Sequence, residues 1–197
     1  MTNKKTPTSW SFKLDTVQSW AYWDNFLSKK ECEQIISYCK NFNKSKGTVS
    51  NNLKVIKKIR ESNIVFLYPD KNLDFLYRKI TNAILILNNK YFNFNLWGMA
   101  EGLQFTHYKA PTGKYVKHID MMFNGQIRKL SMSIQLSDPK KYKGGDLVLH
   151  TGNEPTFIPK DQGKLILFPS YTLHEVKKVT KGERYSLVAW FTGEAFK

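Results

Sequence analysis

Residues 115–120 have the sequence Tyr115-Val116-Lys117-His118-Ile119-Asp120, and a second histidine, His174, follows Asp120 by 54 residues. In an extended strand, residues two apart point to the same side, so His118 and Asp120 would present an imidazole and a carboxylate together. With His174 from a distant strand they form a two-histidine, one-carboxylate set, which suits a non-haem ferrous ion with open positions. A His-x-Asp pair also arises by chance in roughly one sequence in five at this composition, so the pair alone is more often a strand-surface pair than a metal site.

Longer runs around these residues carry more information. They comprise Tyr108-Lys109-Ala110-Pro111-Thr112-Gly113-Lys114 leading into residues 115–120, then Leu136-Ser137-Asp138-Pro139, Tyr142-Lys143-Gly144-Gly145-Asp146-Leu147, Phe168-Pro169-Ser170, His174-Glu175-Val176 and Gly182-Glu183-Arg184-Tyr185-Ser186, ending at Trp190. In these runs the chain resembles the iron(II)- and 2-oxoglutarate-dependent dioxygenases, specifically their prolyl-4-hydroxylase-like branch. Tyr108 lies ten residues before His118, and Arg184 lies ten residues after His174. Both spacings resemble those found in that branch.

The resemblance implies both a fold and a reaction. The fold is a double-stranded β-helix, or jelly roll, in which His118, Asp120 and His174 hold iron(II) and no further residue is catalytic. The cofactors are Fe(II), 2-oxoglutarate as co-substrate and O2, with ascorbate as a candidate reductant. The reaction hydroxylates an unactivated C–H bond while 2-oxoglutarate becomes succinate and carbon dioxide, and its expected target is a prolyl residue of a peptide or protein.

Four further site residues follow from the same resemblance. Arg184 would bind the far carboxylate of 2-oxoglutarate, Tyr108 would donate a hydrogen bond to that carboxylate, and Leu147 would pack against the methylene groups. Tyr115 would lie on the substrate side. Three of them have a plainer alternative: a salt bridge at the rim for Arg184, and ordinary core positions for Tyr108 and Leu147.

The strand pattern of residues 184–190 bears on Arg184 directly. Arg184, Ser186, Val188 and Trp190 alternate with Tyr185, Leu187 and Ala189, so one set must face inward. If the arginine set faces inward, a guanidinium enters a largely apolar interior, where an unpaired charge costs several kcal/mol. A bound dicarboxylate would supply the missing partner.

Length and composition indicate a globular chain. The 197 residues are 41% hydrophobic and 14% aromatic, and no apolar run approaches the ~20 residues that a membrane span needs. The first residues contain lysines with no apolar stretch after them, which argues against a signal peptide. Cys32 and Cys39 lie seven residues apart in a predicted helix, too far for a disulfide, and are predicted to be buried thiols. We therefore expect a cytoplasmic protein without a membrane partner.

The formal net charge of +15 has two interpretations. It could attract nucleic acid or an acidic peptide. Alternatively, it reflects a compositional bias, because the chain has 31 basic residues and only four are arginines, at positions 60, 78, 128 and 184. The lysines are spread over the whole chain, which favours the second interpretation.

The element pattern predicts one α+β domain over residues 1–197. Residues 1–9 are predicted as a loose tail, 10–97 as a helical buttress with flanking strands, and 98–197 as the jelly-roll core. Ser28 and Glu31 form a capping box that starts a helix through about Cys39, and a second helix runs from Leu73 to the asparagines at 88–89. A strand is predicted at 64–68, and eight more at 102–109, 115–120, 129–137, 146–151, 156–159, 164–168, 173–179 and 184–192. The polar residues 43–53 are predicted as a loop, either one that closes over substrate or an ordinary solvated one.

Three functional classes remain open at this point. The first is a prolyl 4-hydroxylase or a close relative. The second is a nucleic-acid demethylase of the same superfamily, which the basic charge favours. The arginine-rich ending of such demethylases is absent from Arg184-Tyr185-Ser186-Leu187-Val188-Ala189-Trp190. The third is a non-catalytic binding module on the same fold. Met121, Met122 and Phe123 are expected near the mouth of the site.

Overall fold

A computed structural model describes residues 17–42, 45–47, 58–99, 101–121 and 127–195. Several sequence predictions lie outside these ranges. They are the tail at 1–9, the first part of the segment that begins at Trp10, most of the loop at 43–53, and the mouth residues Met122 and Phe123.

The two predicted helices are confirmed. Helix α1 spans Lys29–Lys40, and its capping box is formed, because the Ser28 hydroxyl accepts from the Glu31 amide at 3.2 Å and the Glu31 carboxylate accepts from the Ser28 amide at 2.7 Å. Helix α2 spans Asp74–Tyr91 and runs past the predicted asparagine end. Asn88 lies inside the helix, where its side chain exchanges hydrogen bonds with the backbone of Phe94 at 2.9 and 3.0 Å. The Asn88 side chain therefore fixes the segment that follows α2, and the helix continues past this residue.

Fifteen strands occur in the described ranges of the chain. They are β1 Ala21–Trp23, β2 Ser45–Lys46, β3 Arg60–Glu61, β4 Asn63–Leu67, β5 Leu96–Met99, β6 Leu103–Lys109, β7 Lys114–His118, β8 Arg128–Gln135, β9 Lys143–Gly144, β10 Leu147–His150, β11 Thr156–Phe157, β12 Leu165–Pro169, β13 Leu173–Val176, β14 Val179–Lys181 and β15 Glu183–Gly193. A short 3₁₀ turn, Pro139–Lys141, follows β8.

The nine predicted strands are all present, with two corrections. The predicted strand at 173–179 is two strands, β13 and β14, which belong to different sheets. The predicted strand at 115–120 ends at His118, so Asp120 lies beyond it. The prediction also missed β2, β3, β5 and β9, because segments of two to four residues are too short to show an alternating pattern.

The strands form two principal antiparallel sheets. The larger sheet has the order β1-β12-β8-β15-β6-β4-β2, with β5 also paired to β15. The smaller sheet has the order β11-β10-β13-β7-β3, and β14 pairs with β9 in a separate two-stranded sheet. In the smaller sheet, His174 of β13 stands directly opposite His118 of β7. The register therefore brings the two histidines together across 56 residues of sequence.

The main hydrophobic core lies between the helices and one face of the larger sheet. It joins Cys32, Ile35 and Cys39 of α1 to Leu76, Ile80, Ala83, Ile84 and Leu87 of α2, and to Leu103, Phe105, Met132, Ile134, Leu165, Leu167, Tyr185, Leu187 and Ala189 of the sheet. Each large apolar side chain buried here contributes about 1.5–3 kcal/mol. The helices therefore support the larger sheet from behind, as predicted, and leave its other face to the smaller sheet.

Both cysteines are free and buried in this core, which confirms their prediction as buried thiols. Within the described part of the chain, the helices are too short or too polar to cross a membrane. The predicted division of the chain into a buttress and a core at residue 98 stays a prediction.

Candidate active site

His118, Asp120 and His174 lie together between the two sheets. One ligand atom from each lies within 4.8 Å of the others. The Nε2 atom of His118 lies 3.6 Å from Oδ1 of Asp120, and the Nε2 atom of His174 lies 3.5 Å from Oδ2 of the same carboxylate. Two imidazole nitrogens and one carboxylate thus point at one small volume, and they offer the donor set that a ferrous ion accepts.

The other ring nitrogen of each histidine is held by backbone. Nδ1 of His118 lies 2.8 Å from the Val116 carbonyl oxygen, and Nδ1 of His174 lies 2.9 Å from the Thr172 carbonyl oxygen. Because a carbonyl oxygen can only accept, each Nδ1 must carry the proton and donate it. This tautomer leaves the Nε2 lone pairs free for a metal. A hydrogen bond from the other ring nitrogen to a backbone carbonyl is the usual outer support of metal-binding histidines.

Asp120 is held by different means from those predicted. It lies two residues beyond the end of β7, and its backbone amide donates to the Ser170 carbonyl at 2.9 Å. The Ser131 hydroxyl donates to Oδ2 at 2.8 Å and lies 2.9 Å from the Ser170 hydroxyl. The Asp120 carboxylate does lie beside His118, but for a reason other than the predicted one, because contacts with the larger sheet and not strand alternation aim it.

The ionisation states suit metal binding. Burial, together with the neighbouring His174, lowers the pKa of His118 to about 4. Burial by itself would raise the pKa of Asp120, but the two histidines, Trp190 and Ser131 outweigh it and lower that pKa overall. At neutral pH, His118 is therefore a neutral imidazole and Asp120 an ionised carboxylate, which are the forms that coordinate a cation.

A cavity of about 270 Å³ opens beside these three residues. Its walls come from both sheets: Gln104, Ser133, Arg184, Ser186, Val188 and Trp190 from the larger one, and Tyr115, His118, Leu147, His174 and Val176 from the smaller one. Arg184, Ser186, Val188 and Trp190 line the cavity while Tyr185, Leu187 and Ala189 enter the helical core. The predicted alternation of this strand, with the arginine set facing inward, is confirmed.

Among the described residues, Arg184 has the largest fully buried side chain, with 1% of its surface exposed. Its Nη2 donates to Oε1 of Gln135 at 2.9 Å, its Nη1 makes a long contact of 3.4 Å with the Ser186 hydroxyl, and its Nε has no hydrogen-bond partner. Among the described residues, no carboxylate pairs with this guanidinium, so the alternative of a rim salt bridge is not what the structure shows. A buried cation without a counter-ion is the feature that a dicarboxylate co-substrate would fit.

Gly145 shapes the space around this guanidinium. It has a φ of +65°, and a Cβ there would come within 2.9 Å of Val179 Cγ2 and 3.0 Å of Arg184 Cδ. A side chain at this position would strain the backbone and push the arginine aside. The glycine pair 144–145, noticed only as part of a motif, thus keeps room for Arg184.

The remaining predicted site residues also line the cavity. Tyr108 is 3% exposed, and its ring centre lies 5.5 Å from Arg184 Cζ. Leu147 is buried beside it in the same small hydrophobic cluster. Tyr115 stacks on His118 with the ring centres 3.5 Å apart, and burial raises the pKa of its hydroxyl to about 12. The structure therefore brings these residues to the cavity, while the roles given to them stay predictions.

Sequence reasoning missed three charged residues of the cavity wall: Arg60, Glu101 and Arg128. Arg128 pairs with Glu101, with Nε 2.9 Å from Oε1, and its guanidinium carbon lies 3.9 Å from the centre of the Trp190 ring. A signal for the arginines was present in the composition. Three of the four arginines in this lysine-rich chain line the cavity, and each guanidinium carbon lies 3.9–5.5 Å from the centre of an aromatic ring, a contact that a planar guanidinium makes more readily than lysine.

The other two histidines, His107 and His150, lie elsewhere. His107 is buried and stacks on Tyr185 with the ring centres 4.5 Å apart. His150 contacts the Glu175 carboxylate through Nε2 at 3.1 Å. Neither residue belongs to the cavity wall or to the metal-ligand group.

Comparison with known proteins gives a consistent result. Residues 103–192 match the 2OG-Fe(II) oxygenase superfamily. A PKHD-type hydroxylase of Prochlorococcus marinus strain MIT 9515 is 36% identical over 115 residues, which are 58% of this chain and 52% of that protein. A PKHD-type hydroxylase from strain MIT 9215 is 34% identical over 172 residues, covering 84% of this chain and 71% of that protein. The chain thus spans about half the length of the first of these relatives and more of the second.

Solved structures with the same architecture include two prolyl hydroxylases. One, from Trichoplax adhaerens, is in complex with a hypoxia inducible factor oxygen degradation domain peptide fragment. Its TM-score is 0.75 at 21% sequence identity, and the match covers 89% of this chain and 84% of the Trichoplax chain. The prolyl-4-hydroxylase of Pseudomonas putida has a TM-score of 0.71 and 20% identity, with 90% and 94% of the two chains covered. At these identities the likeness shows the fold, and the predicted jelly roll supported by N-terminal helices is confirmed.

Proposed function

Because the chain belongs to the 2OG-Fe(II) oxygenase superfamily, we propose that it is an iron(II)- and 2-oxoglutarate-dependent dioxygenase that hydroxylates a prolyl residue of a peptide or protein. The observation that carries the proposal is the group of His118, Asp120 and His174, with both Nδ1 atoms held by carbonyl oxygens and both Nε2 atoms facing one carboxylate. Folding alone does not require such an arrangement. This argues against the third class, a binding module that has lost its chemistry.

Different residues of the cavity would hold the metal and the co-substrate. When bound, iron(II), 2-oxoglutarate and dioxygen supply the oxidising chemistry that places one oxygen atom on a C–H bond and yields succinate and carbon dioxide. His118, Asp120 and His174 would hold the metal, and the Ser131 hydroxyl keeps the Asp120 carboxylate in place. Arg184 would bind the far carboxylate of 2-oxoglutarate through a charge-assisted hydrogen bond.

Three further side chains would position the co-substrate and the substrate. The Tyr108 hydroxyl would support the carboxylate bound by Arg184, and Leu147 would cover the methylene groups and keep water away from them. Tyr115, on the other side of His118, would face the substrate. Ascorbate would serve only to restore the reduced metal and has no binding residue assigned to it.

The proposal is tested with a panel of proline-containing peptides. Purified protein with ferrous ion and 2-oxoglutarate should form succinate faster when a suitable peptide is present, and mass spectrometry should show that this peptide gains one oxygen atom. His118→Ala and Asp120→Ala should each abolish the stimulation. His150→Gln is the matched control, because it removes a histidine outside the cavity and should leave the stimulation intact.

Two results would overturn the proposal. One is stimulation that survives either ligand substitution. The other is a wild-type protein that no peptide of a broad panel stimulates, combined with formaldehyde release from methylated DNA or RNA. The second result would establish the nucleic-acid demethylase that the net charge of +15 left open.

A further inference from the structure

Arg60 occupies an unusual position at the edge of the smaller sheet. It lies in β3 directly opposite Tyr115 of β7, and it lines the cavity. Only 7% of its surface is exposed, and its guanidinium carbon lies 4.7 Å from the centre of the Tyr115 ring. Since Tyr115 in turn stacks on His118, the guanidinium is separated from a metal-ligand candidate by a single aromatic ring.

The guanidinium of Arg60 is held in place by its neighbours. Its Nε donates to the Ser62 hydroxyl at 2.8 Å. Gly47 lies against the same two groups, and a Cβ at Gly47 would come within 2.6 Å of both Arg60 Nε and Ser62 Oγ. The Gly47 amide also donates to the Ser62 carbonyl at 2.9 Å. A long, flexible side chain is therefore already ordered before any ligand arrives, which lowers the entropic cost of binding.

The charges of the cavity wall leave Arg60 without a counter-ion. Arg128 is paired with Glu101, and under the proposed function Arg184 faces 2-oxoglutarate while Asp120 faces the metal. Among the described residues, no carboxylate pairs with Arg60, and its only hydrogen bond uses Nε. The two terminal nitrogens are thus left for an incoming group.

The sequence offers almost nothing else to neutralise this charge. Of the 16 acidic residues in the chain, Asp15 is the only one outside the described ranges. Residues 43–59 contain five lysines and no acidic residue, so the segment that leads into Arg60 is entirely cationic. Among the acidic residues that the structure describes, none pairs with Arg60, so the structure favours a partner carboxylate from another molecule.

We propose that Arg60 is a substrate-recognition residue, and that the substrate is a peptide segment with an Asp or Glu close to the hydroxylated prolyl residue. The inference rests on the proposed function and names its substrate class. A carboxylate can accept from both terminal nitrogens of an arginine, in the planar arrangement that makes such pairs strong and selective. The formal net charge of +15 would attract the same acidic segment over a longer range.

The structure favours an acidic peptide over a nucleic acid. A nucleic acid presents a regular row of phosphates, and proteins that bind it use many cations along that row. Apart from Arg184, which faces 2-oxoglutarate under the proposed function, the described cavity wall offers one arginine without a carboxylate partner, placed beside an aromatic ring, a hydroxyl and a glycine. That arrangement fits one carboxylate at one position of a peptide.

Binding of labelled peptides tests the inference without turnover. The full chain is loaded with Zn(II), which does not support oxidation, and with 2-oxoglutarate. Fluorescein-labelled peptides carry a central proline and one Glu, which is moved through the flanking positions, and each has a twin with Gln at the same place. At one position the Glu peptide should bind about tenfold more tightly than its twin, as measured by fluorescence anisotropy.

Substitutions assign that preference to Arg60. Arg60→Gln should abolish the difference between the twins, and Arg60→Glu should reverse it in favour of a Lys peptide. Gly47→Ala, which displaces the guanidinium without removing it, should weaken the preference. Lys58→Gln is the control, because it removes an exposed charge two residues away and should preserve the preference.

The outcomes separate this inference from the proposed function. Equal binding of all Glu and Gln twins, or no binding of any peptide, would overturn the role of Arg60. An oligonucleotide that binds more tightly than every acidic peptide, and depends on Arg60, would overturn it in favour of phosphate. An Arg60-dependent preference for acidic peptides that never become oxidised would support the recognition site while it refutes the hydroxylase.

Discussion

Replacing Arg184 with methionine should change the stability of the protein in opposite directions, depending on whether 2-oxoglutarate is present. Arg184 is 1% exposed and lacks a carboxylate partner among the described residues. The apolar methionine keeps much of the volume, and it removes a buried charge that the ligand-free protein does not neutralise. We therefore expect Arg184→Met to be more stable than wild type without the co-substrate, and to gain nothing from its addition.

The size of both effects follows from the contacts of the guanidinium. Replacing a buried ion pair with apolar side chains stabilises proteins by up to roughly 1–4 kcal/mol, and we apply the same range to this unpaired buried charge. The substitution also leaves Gln135 Oε1 without its donor, at a cost of about 1 kcal/mol. The net gain is about 2 kcal/mol, or about 4–8 °C in melting temperature for a chain of this size. In wild type, 2-oxoglutarate at ~100 times its Kd should add about 2.7 kcal/mol, and the variant should lose nearly all of it.

Thermal unfolding with Zn(II), with and without 2-oxoglutarate, measures both quantities. Arg78→Met is the matched control, because Arg78 is an exposed arginine paired with Asp74 within α2, and its loss should change neither melting temperature. A destabilised Arg184→Met that still responds to 2-oxoglutarate would refute the reasoning. It would mean that the guanidinium is a structural element satisfied by the protein itself.

Three further predictions concern the neighbours of this site. Ser131→Ala removes the hydroxyl that fixes the carboxylate ligand and should lower metal affinity about 10–100-fold in a chelator competition, and an unchanged affinity would contradict this support role. Gly145→Ala should weaken 2-oxoglutarate binding about tenfold by calorimetry, because a Cβ would strain a backbone with φ of +65° and press on Arg184, whereas Gly152→Ala, with no atom within 4 Å of its Cβ, should not. The metal-free protein should lose about 3 kcal/mol of stability as the pH falls from about 6.5 towards 4, because burial lowers the pKa of His118 from 6.5 to about 4 and the unfolded chain takes up the proton first. Urea unfolding at several pH values measures this loss, and His118→Gln should remove it; a wild-type slope in that variant would assign the effect to other groups.

The candidate metal ligands could be picked out from sequence because they belong to a spaced pattern. His118, His174 and Arg184 stand at fixed distances within motifs, and the alternation of residues 184–190 correctly predicted that Arg184, Ser186, Val188 and Trp190 share one face of β15. The long strands and both helices have a hydrophobic periodicity that can be recognised in the sequence alone. In these elements local pattern and tertiary position agree.

The features that escaped prediction are defined only by long-range contacts. The support of Asp120 by Ser131 and Ser170 joins residues that no local pattern relates. Arg60 enters the cavity because a two-residue strand pairs with β7, and such a strand leaves no trace in the sequence. The pairing of Arg128 with Glu101 is equally invisible until the sheets are assembled.

The position of the helices on one side of the larger sheet has a consequence for how the protein can evolve. In the strand Glu183–Gly193, neighbouring residues serve different ends, since odd positions such as Leu187 enter the helical core and even positions such as Val188 face the cavity. Selection for a new substrate can act on the even positions while the odd ones continue to specify folding. The residues that face the cavity can thus change at every second position of this strand, while the residues between them keep the fold.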